Sequence, residues 1–487
     1  DLTSLFLFNL DSACGRIYGY ILVKLFRCCG SRRVNTELSG MLNEKKIHIV
    51  TLGCARNQVD SEVMAGGLKH AGWTLVERPE NANVIVVNTC SFIESAADES
   101  IDTILALAEF KRKGSCRQLI VTGCLPERYR EATGEVLSEV DTFLGTGAYD
   151  RIVEAVEGIP GGSGSCLLPD PDAIPMSGGG EKRLIDRVPS AYLKIAEGCN
   201  RSCTYCIIPK LRGRQKSRPA DDILMEAKTM IDAGVKELVL VAQESTHYGA
   251  DRSQPASLAD LLKSLARLSN RIWIRVLYGH PESINADIIE TIADTPGLLP
   301  YFDLPIQHSS DQVLKKMGRR YGARDLLDLF GRIRSQIPEA VLRTTIITGF
   351  PGETEHDFNQ LMGFIQQIRF DHLGVFTYSD AEDLFSHRLP DPVSADVAQE
   401  RYNLLMTLQM DISREINQHH IGEKTDVLVE EMPEDGLWVG RTAFQAPEVD
   451  GITYIRAKNS PNPAVGNFIH VTIIDAMEYD LIGEISD

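Results

Sequence analysis

The sequence predicts an α/β protein in three parts: an N-terminal α/β domain with a parallel sheet, a partial (β/α)6 barrel and a small C-terminal β-barrel. Two observations predict this fold class. Two series of β-branched, strand-like runs alternate with helix-like segments, which favours parallel sheets with helices on their faces. A short, strand-rich segment punctuated by glycine follows them, and such a pattern is typical of a small closed barrel. A chain of 487 residues is long enough for several such domains.

The N-terminal series contains three short strands, and each of them leads directly to a cysteine. The runs KIHIVTL, NVIVVN and QLIVT lead to Cys54, Cys90 and Cys124. Because parallel strands end at the same edge of a sheet, where α/β folds build their sites, we expect these three cysteines to converge in space. Buried structural cysteines are the alternative, but they would not explain why all three end strands. We assign residues 46–158 to this domain.

The second series contains six strand candidates, which predict a six-unit barrel that is open on one side. The candidates are AYLKIA, ELVLVA, WIRVLY, YFDLPI, LRTTIIT and LGVFTYS, and helical segments separate them. In such barrels the site lies at the C-terminal ends of the strands. We assign residues 185–423 to the barrel, including a closing helix over about 394–420. A linker rich in glycine, proline and serine, residues 159–184, precedes it.

The two ends of the chain carry different predictions. Residues 424–487 are assigned to the C-terminal β-barrel. Residues 1–45 contain short apolar runs, and we expect a disordered extension that takes no part in the fold; a misplaced start site before Met41 is the alternative.

Composition places the chain among soluble globular proteins. The hydrophobic content of 43% and the charged content of 24% are ordinary for that class. No run approaches the ~20 consecutive apolar residues of a membrane helix, so we expect a cytoplasmic protein without a membrane partner. Eleven cysteines in a long chain without a convincing secretory signal favour metal ligation or catalysis over a disulfide framework.

The strongest motif is EGCNRSCTYCIIP, directly after the first barrel strand. It spaces Cys199, Cys203 and Cys206 as C-x3-C-x2-C. Three thiolates on a four-iron cube leave one iron open to another ligand. A zinc knuckle is the alternative, but zinc would need a fourth cysteine or histidine, and none follows before His247.

This motif at the first strand of a six-unit barrel resembles the radical S-adenosylmethionine superfamily. The resemblance implies a 4Fe–4S cluster whose open iron chelates S-adenosylmethionine, which is then cleaved to a 5′-deoxyadenosyl radical. The motif TGFPGET after the fifth strand is similar to the glycine-rich cofactor contact of that superfamily. The contacts it implies are Gly349, Pro351, Gly352 and Glu353. The resemblance also implies that Glu244, after the second strand, holds the amino group of the cofactor, and a solvated rim carboxylate is the alternative.

The N-terminal cysteines narrow the resemblance to the methylthiotransferases. The segments TLGCARNQVDSE, NTCSFIESA and TGCLPERY are together similar to the domain in which that family binds a second 4Fe–4S cluster for sulfur delivery. The resemblance implies that one S-adenosylmethionine supplies the methyl group and another the radical. It also implies an electron donor and a sulfur source as partners, and no side chain acting as a catalytic acid or base.

Two branches of that family compete: one modifies adenosine in tRNA, and the other modifies the β-carbon of an aspartate in ribosomal protein S12. The segments AGVKELVLVAQESTHYG and LPYFDLPIQHSSDQVLKKMGR are similar to the protein-modifying branch. The C-terminal barrel resembles a TRAM domain, a module associated with RNA. From Thr425 to Asp487, however, 12 acidic and 3 basic residues give a net charge of −9, half of the −18 of the chain. That charge argues against direct RNA binding by this barrel and favours a basic protein partner.

We therefore hypothesise that the chain is a radical S-adenosylmethionine methylthiotransferase acting on an aspartate of ribosomal protein S12. The alternatives are a tRNA adenosine methylthiotransferase and a non-catalytic iron–sulfur factor that binds the ribosome or RNA. The segment QESTHYG, where tRNA-modifying relatives usually carry asparagine, argues against the first. A complete cysteine trio with an open iron argues against the second. The basic run Lys210–Arg218 has two possible roles. It contacts an anion (the substrate aspartate, the cofactor carboxylate or a phosphate), or it is a solvated loop.

Overall fold

The computed structural model describes most of the chain after residue 44. The described residues are 45–114, 116–158, 165–174, 176, 183–185, 189–253, 256–434, 436–456 and 463–486. The predicted extension, apart from residue 45, and most of the predicted linker lie outside them. Every helix in these ranges is too short or too polar to cross a lipid bilayer.

The N-terminal domain is a six-stranded sheet, parallel throughout, in the order β2–β1–β3–β4–β5–β6. Its strands are β1 Lys46–Thr51, β2 Thr74–Leu75, β3 Val84–Thr89, β4 Gln118–Gly123, β5 Thr142–Leu144 and β6 Ser165–Leu167. Its helices are α1 Ala55–His70, α2 Glu94–Lys113, α3 Cys124–Tyr129, α4 Glu131–Val136 and α5 Ile152–Gly158. Every residue of β3 is buried, as expected where helices cover both faces of a parallel sheet. The three strands predicted from sequence are β1, β3 and β4.

Six parallel strands form the partial barrel, which confirms the predicted fold class. They are β7 Ser190–Lys194, β10 Glu237–Val241, β11 Trp273–Val276, β12 Tyr301–Asp303, β13 Val341–Thr348 and β14 His372–Thr377. The first three pair in one sheet and the last three in another. Three backbone hydrogen bonds join β11 and its loop to the segment of β12: Leu299 to Ile274 and Gly279 to Asp303, both 2.9 Å long, and Ile274 to Gly297 at 2.8 Å. A short hairpin, β8 Ala196–Glu197 with β9 Lys216–Ser217, extends beyond the C-terminal end of β7.

Helices separate the barrel strands and cover their outer face. They are α6 Ile208–Arg212, α7 Ala220–Asp232, α8 Leu258–Ala266, α9 Ala286–Asp294, α10 Asp311–Lys316, α11 Ala323–Gln336, α12 Glu355–Ile368 and α13 Ala395–His419. The helix α12 begins with a capping box, in which Thr354 accepts from the backbone of Asp357 and the Asp357 carboxylate accepts from the backbone of Thr354. The cap fixes the end of the TGFPGET loop. The long closing helix predicted over 394–420 is α13.

The C-terminal domain is a closed five-stranded barrel in the order β15–β16–β17–β19–β18. Its strands are β15 Lys424–Glu434, β16 Leu437–Thr442, β17 Thr453–Arg456, β18 Phe468–Ala476 and β19 Leu481–Ile485. Trp438 and Ile455 lie in its core, 1% and 0% exposed. The predicted small β-barrel is confirmed.

One apolar cluster runs through the central barrel and joins all three domains. It includes Ala55 and Val59 of α1, Tyr192 and Val241 of the barrel strands, and Ala446 of the loop between β16 and β17. The N-terminal domain therefore covers the C-terminal ends of the barrel strands, and the C-terminal barrel covers their N-terminal ends. Our domain boundaries stay predictions.

Candidate active site

The N-terminal trio, Cys54, Cys90 and Cys124, lies at the C-terminal edge of the N-terminal sheet. Cys54 follows β1, Cys90 follows β3, and Cys124 begins α3 directly after β4. Burial, together with the charges of the Cys124 and Cys54 thiols, raises the pKa of Cys90 to about 12. The structure thus brings the three thiols into electrostatic contact, although they are 36 and 34 residues apart in the chain.

Glycines allow the chain to place these cysteines so close together. Gly53, before Cys54, has a φ of +93°, and Gly123, before Cys124, has a φ of +95°. Both values lie in the region that only glycine adopts without strain. A Cβ on Gly53 would lie 2.8 Å from the Cβ of Cys90. The Gly–Cys pairs in the sequence are therefore a requirement of close approach.

The charge around the N-terminal trio fits an iron–sulfur cluster held by thiolates. The guanidinium of Arg212 lies 3.8 Å from the Sγ of Cys124. Burial raises the pKa of Cys54, but Arg56, Arg212 and two backbone N–H groups together bring that pKa below its usual value. No group of three or more His, Cys, Asp or Glu residues in the described ranges is arranged to hold a metal ion. Thiolates around a four-iron cube bind separate irons rather than one shared ion, so a cluster does not require a single-ion arrangement.

A buried ion-pair network, here called the upper network, joins the N-terminal domain to the barrel beside the trio. It consists of Asp60, Lys194, Glu197 and Arg212. The Nζ of Lys194 lies 2.5 Å from one oxygen of Asp60, and Arg212 lies 2.7 Å from the other. Burial raises the pKa of Glu197, but Lys194 and Arg212 lower it to about 2. Sequence reasoning missed this network, because Asp60 pairs with residues more than a hundred positions away, and its only signal was the unassigned basic run.

The barrel trio, Cys199, Cys203 and Cys206, lies in the single loop between β8 and α6. Burial raises the pKa of Cys206 to about 12, and the charges of Cys203 and Cys199 act in the same direction. The backbone N–H of Arg201 donates to the Sγ of Cys199 at 3.4 Å. Gly198 has a φ of +80°, and a Cβ there would collide with a backbone carbonyl. The loop is thus folded around the three thiols.

The two trios are neighbours across the domain interface. Cys124 packs in one apolar cluster with Ile207, the residue after Cys206, and with Leu211. Arg212 contacts Cys124 and also lies 3.4 Å from Glu197, two residues before Cys199. The cysteine sets predicted from sequence therefore meet where the N-terminal domain covers the barrel.

Glu244 lies at the C-terminal end of β10, next to the loop of the barrel trio. Its carboxylate accepts two hydrogen bonds from Arg201, at 2.7 and 2.8 Å, and one from Ser283 at 2.6 Å. The side chain is almost fully buried, so it is not a solvated rim carboxylate. An amino group of a cofactor would share this carboxylate with Arg201, and that contact stays a prediction.

The glycine-rich loop follows β13 and reaches the barrel trio through Tyr205, whose ring packs edge-on against Phe350 at 6.3 Å. Gly349 and Gly352 have φ values of +77° and +78°, which hold the turn on both sides of the buried Pro351. Their cofactor contacts also stay predictions.

The carboxylate of Glu353 points into the protein. It lies 3.1 Å from Arg401 and 3.4 Å from His308, and it accepts from the backbone N–H of Gly349. These contacts hold the loop on the side that faces the protein interior. A direct contact of the Glu353 side chain with the cofactor stays a prediction.

Most of the basic side chains in the run Lys210–Arg218 form contacts inside the protein. Arg212 belongs to the upper network, and Arg218 pairs with Glu226 at 2.6 Å. Lys216 donates to two backbone carbonyls. Arg214, whose side chain is 86% exposed, faces solvent. Most of the run is therefore used in internal contacts, and Arg212 joins the N-terminal domain to the barrel.

Comparison with known proteins links these features to three families of domains. Family models match residues 46–145 (Uncharacterized protein family UPF0004), 193–365 (Radical SAM superfamily) and 421–485 (TRAM domain). The curated ribosomal protein uS12 methylthiotransferase RimO of Desulfosudis oleivorans is 52% identical over 90% of this chain and 99% of its own. The protein of the same name from Clostridioides difficile is 46% identical over 90% of this chain and 98% of its own.

Among solved structures, a radical S-adenosylmethionine methyltransferase, TsrM from Kitasatospora setae with tryptophan and a cofactor analogue bound, superposes with a TM-score of 0.53. It is 13% identical, and the match covers 77% of this chain and 90% of that one. Similarity at this level of identity establishes a shared fold and nothing more.

Proposed function

Since this chain belongs to the family of ribosomal protein uS12 methylthiotransferases, we propose that it adds a methylthio group to the β-carbon of an aspartate in uS12. The observation that carries the proposal is the meeting of two thiol trios at the C-terminal ends of the barrel strands. Family membership over nine-tenths of the chain supports the same reaction.

S-adenosylmethionine and 4Fe–4S clusters are the cofactors of this reaction, and when bound they supply hydrogen-atom removal and the transfer of sulfur and a methyl group. Cys199, Cys203 and Cys206 would hold the cluster that binds S-adenosylmethionine, and the N-terminal trio would hold the second.

The chain itself contributes position and charge. Arg212 places a guanidinium beside Cys124 and so favours the deprotonated thiol that ligates metal. Arg201 and Glu244 fix the barrel-trio loop against the end of β10. The upper network is buried, so it excludes water from the interface between the trios.

The partners beyond uS12 follow from the same reaction. We propose that an external electron donor and a sulfur source serve it, and that it takes place in the cytoplasm, where ribosomal proteins are made. The exposed carboxylates of the C-terminal barrel, such as Asp426, Glu434 and Asp475, would repel RNA and attract a basic protein. Other carboxylates of this barrel are used internally, for example Glu430 by Arg441.

The test is anaerobic reconstitution followed by mass spectrometry of both candidate substrates. The reconstituted protein should contain about eight irons per chain, two cubes of four. With S-adenosylmethionine, a reductant and sulfide, the aspartate peptide of uS12 should gain one methylthio group, while tRNA in the same reaction stays unchanged.

Two results would contradict the proposal. A methylthio group on adenosine, with uS12 unmodified, would make the chain a tRNA methylthiotransferase. About four irons per chain, with neither substrate modified, would leave only a structural cluster.

A further inference from the structure

Arg56 lies in the interface between the two trios and forms no ion pair among the described residues. It is the second residue of α1, two positions after Cys54. Its Nη1 donates to the backbone carbonyl of Ala242 at 2.9 Å, and its guanidinium lies 4.5 Å from the centre of the Tyr278 ring. Neither partner carries a negative charge that would neutralise the guanidinium.

Neighbouring arginines differ from Arg56, because each has a carboxylate partner. Arg201 binds Glu244 at 2.7 Å, Arg212 binds Asp60 at 2.7 Å, and Arg128 binds Asp383 at 2.6 Å. Those arginines are already satisfied as docking residues. Arg56 lies near the Cys54 thiol, whose pKa it lowers, but it binds no carboxylate among the described residues. The unused donors of a partly buried guanidinium favour an oxygen acceptor.

The contacts of Arg56 place it where the barrel is expected to bind its substrate. Ala242 directly follows β10 and Tyr278 follows β11, so both stand at the C-terminal ends of strands. Tyr278 has a φ of +61°, a strained value for a residue other than glycine, and strain of this kind clusters at functional sites. The carboxylate of Asp303 accepts from the Tyr278 N–H at 2.8 Å and holds this conformation.

The free side of the Arg56 guanidinium has the geometry that carboxylates select. Only Nη1 has a hydrogen-bond acceptor among the described residues, and the side chain is partly exposed. The Nε and Nη2 groups point in nearly the same direction and together form the planar fork that binds both oxygens of a carboxylate. These two donors are therefore available to a carboxylate.

We propose that Arg56 binds the side-chain carboxylate of the substrate aspartate and so determines specificity for that residue. The inference rests on the proposed function, in which the β-carbon of an aspartate reacts. That carbon is bonded directly to the carboxyl carbon, so a carboxylate on Arg56 brings the reacting atom beside Cys54 and the ends of β10 and β11. The adenine base that the tRNA-modifying branch acts on carries no carboxylate for the fork.

The test is a binding cycle between Arg56→Gln and a uS12 whose target aspartate is changed to asparagine. Affinities are measured with fluorescently labelled uS12 and cluster-loaded enzyme. Wild-type enzyme should bind the aspartate form about ten- to hundredfold more tightly than the asparagine form, as expected for a charge-assisted bidentate pair. In Arg56→Gln the ratio of the two affinities should fall to near one. Arg56→Lys keeps the charge but not the fork, so its ratio should lie between those of the wild type and Arg56→Gln.

The matched control is Arg151→Gln, an exposed arginine of the same domain that pairs with Glu154. It should keep the wild-type ratio. Because Arg56 also helps the N-terminal domain to dock, a purely structural role would weaken both forms of uS12 equally and leave the ratio unchanged, which would overturn the inference.

Arg56 could instead bind the carboxylate of S-adenosylmethionine, and a separate measurement distinguishes the two ligands. Cofactor affinity is measured without uS12, and a tenfold loss in Arg56→Gln with an unchanged uS12 ratio would assign the fork to the cofactor and overturn the inference. Failure of wild-type enzyme to methylthiolate uS12 would instead refute the proposed function, so the two failures are separable.

Discussion

At both ends of the central barrel a neighbouring domain docks through buried ion pairs. At the N-terminal ends of the strands, Glu237 lies 2.5 Å from Arg441 of the C-terminal barrel and 2.8 Å from Arg275, and we call this group the lower network. At the C-terminal ends, the upper network joins Asp60 of the N-terminal domain to Lys194 and its neighbours. Both networks are almost fully buried.

The two ends differ in what is left unpaired. In the lower network each arginine has Glu237 as a carboxylate partner, and Arg441 also contacts Glu430, although the Nη2 of Arg275 has no hydrogen-bond acceptor among the described residues. The upper end adds six thiols, the unpaired Arg56, and strained backbone at Tyr278 and Gln307. A buried ion pair by itself therefore indicates docking. An arginine without a carboxylate partner, together with backbone strain at strand ends, indicates a ligand.

The largest expected effect distinguishes the functions of the two cysteine trios, which both lie at the C-terminal ends of the barrel strands. Cys203→Ala should abolish formation of 5′-deoxyadenosine, because it would remove a proposed ligand of the cluster that binds S-adenosylmethionine. Cys90→Ala should leave that product unchanged and block sulfur insertion into uS12. Chromatography of the nucleoside and mass spectrometry of uS12 measure the two steps. Loss of 5′-deoxyadenosine in both variants would show that the trios are not independent.

The next largest effect distinguishes the upper network from the lower network by iron content. Asp60→Asn leaves Lys194 and Arg212 with Glu197 as their one shared carboxylate, so one buried positive charge is uncompensated, and it should cost about 3–5 kcal/mol of stability. It should also lower iron content, because Arg212 then no longer holds its place beside Cys124. Glu237→Gln should cost a similar amount of stability but leave iron content at the wild-type value.

Thermal denaturation and iron analysis of the two variants, prepared in parallel, measure both quantities. Equal loss of iron in Asp60→Asn and Glu237→Gln would contradict the distinction between the two ends. It would mean that any damage to domain docking releases the clusters.

The fold and the cysteines could be predicted from sequence because their signals are local. Strand runs that end in Gly–Cys are visible within a few residues, and the C-x3-C-x2-C spacing lies within one loop. The pairing of Asp60 with Lys194 and Arg212 joins positions 134 and 152 residues apart. One sequence carries no signal for such pairs. The inward turn of Glu353 and the positive φ of Tyr278 likewise depend on tertiary contacts.

A smaller effect is expected from the glycine that precedes Cys54. Gly53→Ala forces a positive φ on alanine and places a Cβ 2.8 Å from that of Cys90, so it should cost about 1–3 kcal/mol and loosen the N-terminal trio. Sulfur insertion should fall, while 5′-deoxyadenosine formation persists. The matched control is Gly331→Ala in α11, where the added Cβ meets open space and should stabilise the helix by about 0.5–1 kcal/mol. Unchanged iron content in Gly53→Ala would show that close approach of Cys54 and Cys90 is not required.

The smallest expected effect is the dependence on pH of the stability difference between the wild type and Glu237→Gln in the lower network. Burial raises the pKa of Glu237, but Arg441 and Arg275 together lower it to about 2, from a usual value of 4.5. A carboxyl group whose pKa is depressed on folding stabilises the protein above its unfolded pKa, and this contribution declines as pH falls from about 4.5 towards 2. Chemical denaturation at fixed pH values should therefore show a steeper acid loss of stability in the wild type than in Glu237→Gln. Between pH 6 and 8 the difference between the two proteins should not change with pH. Parallel curves down to pH 3 would mean that Glu237 is not the group that ties the C-terminal barrel to the lower end.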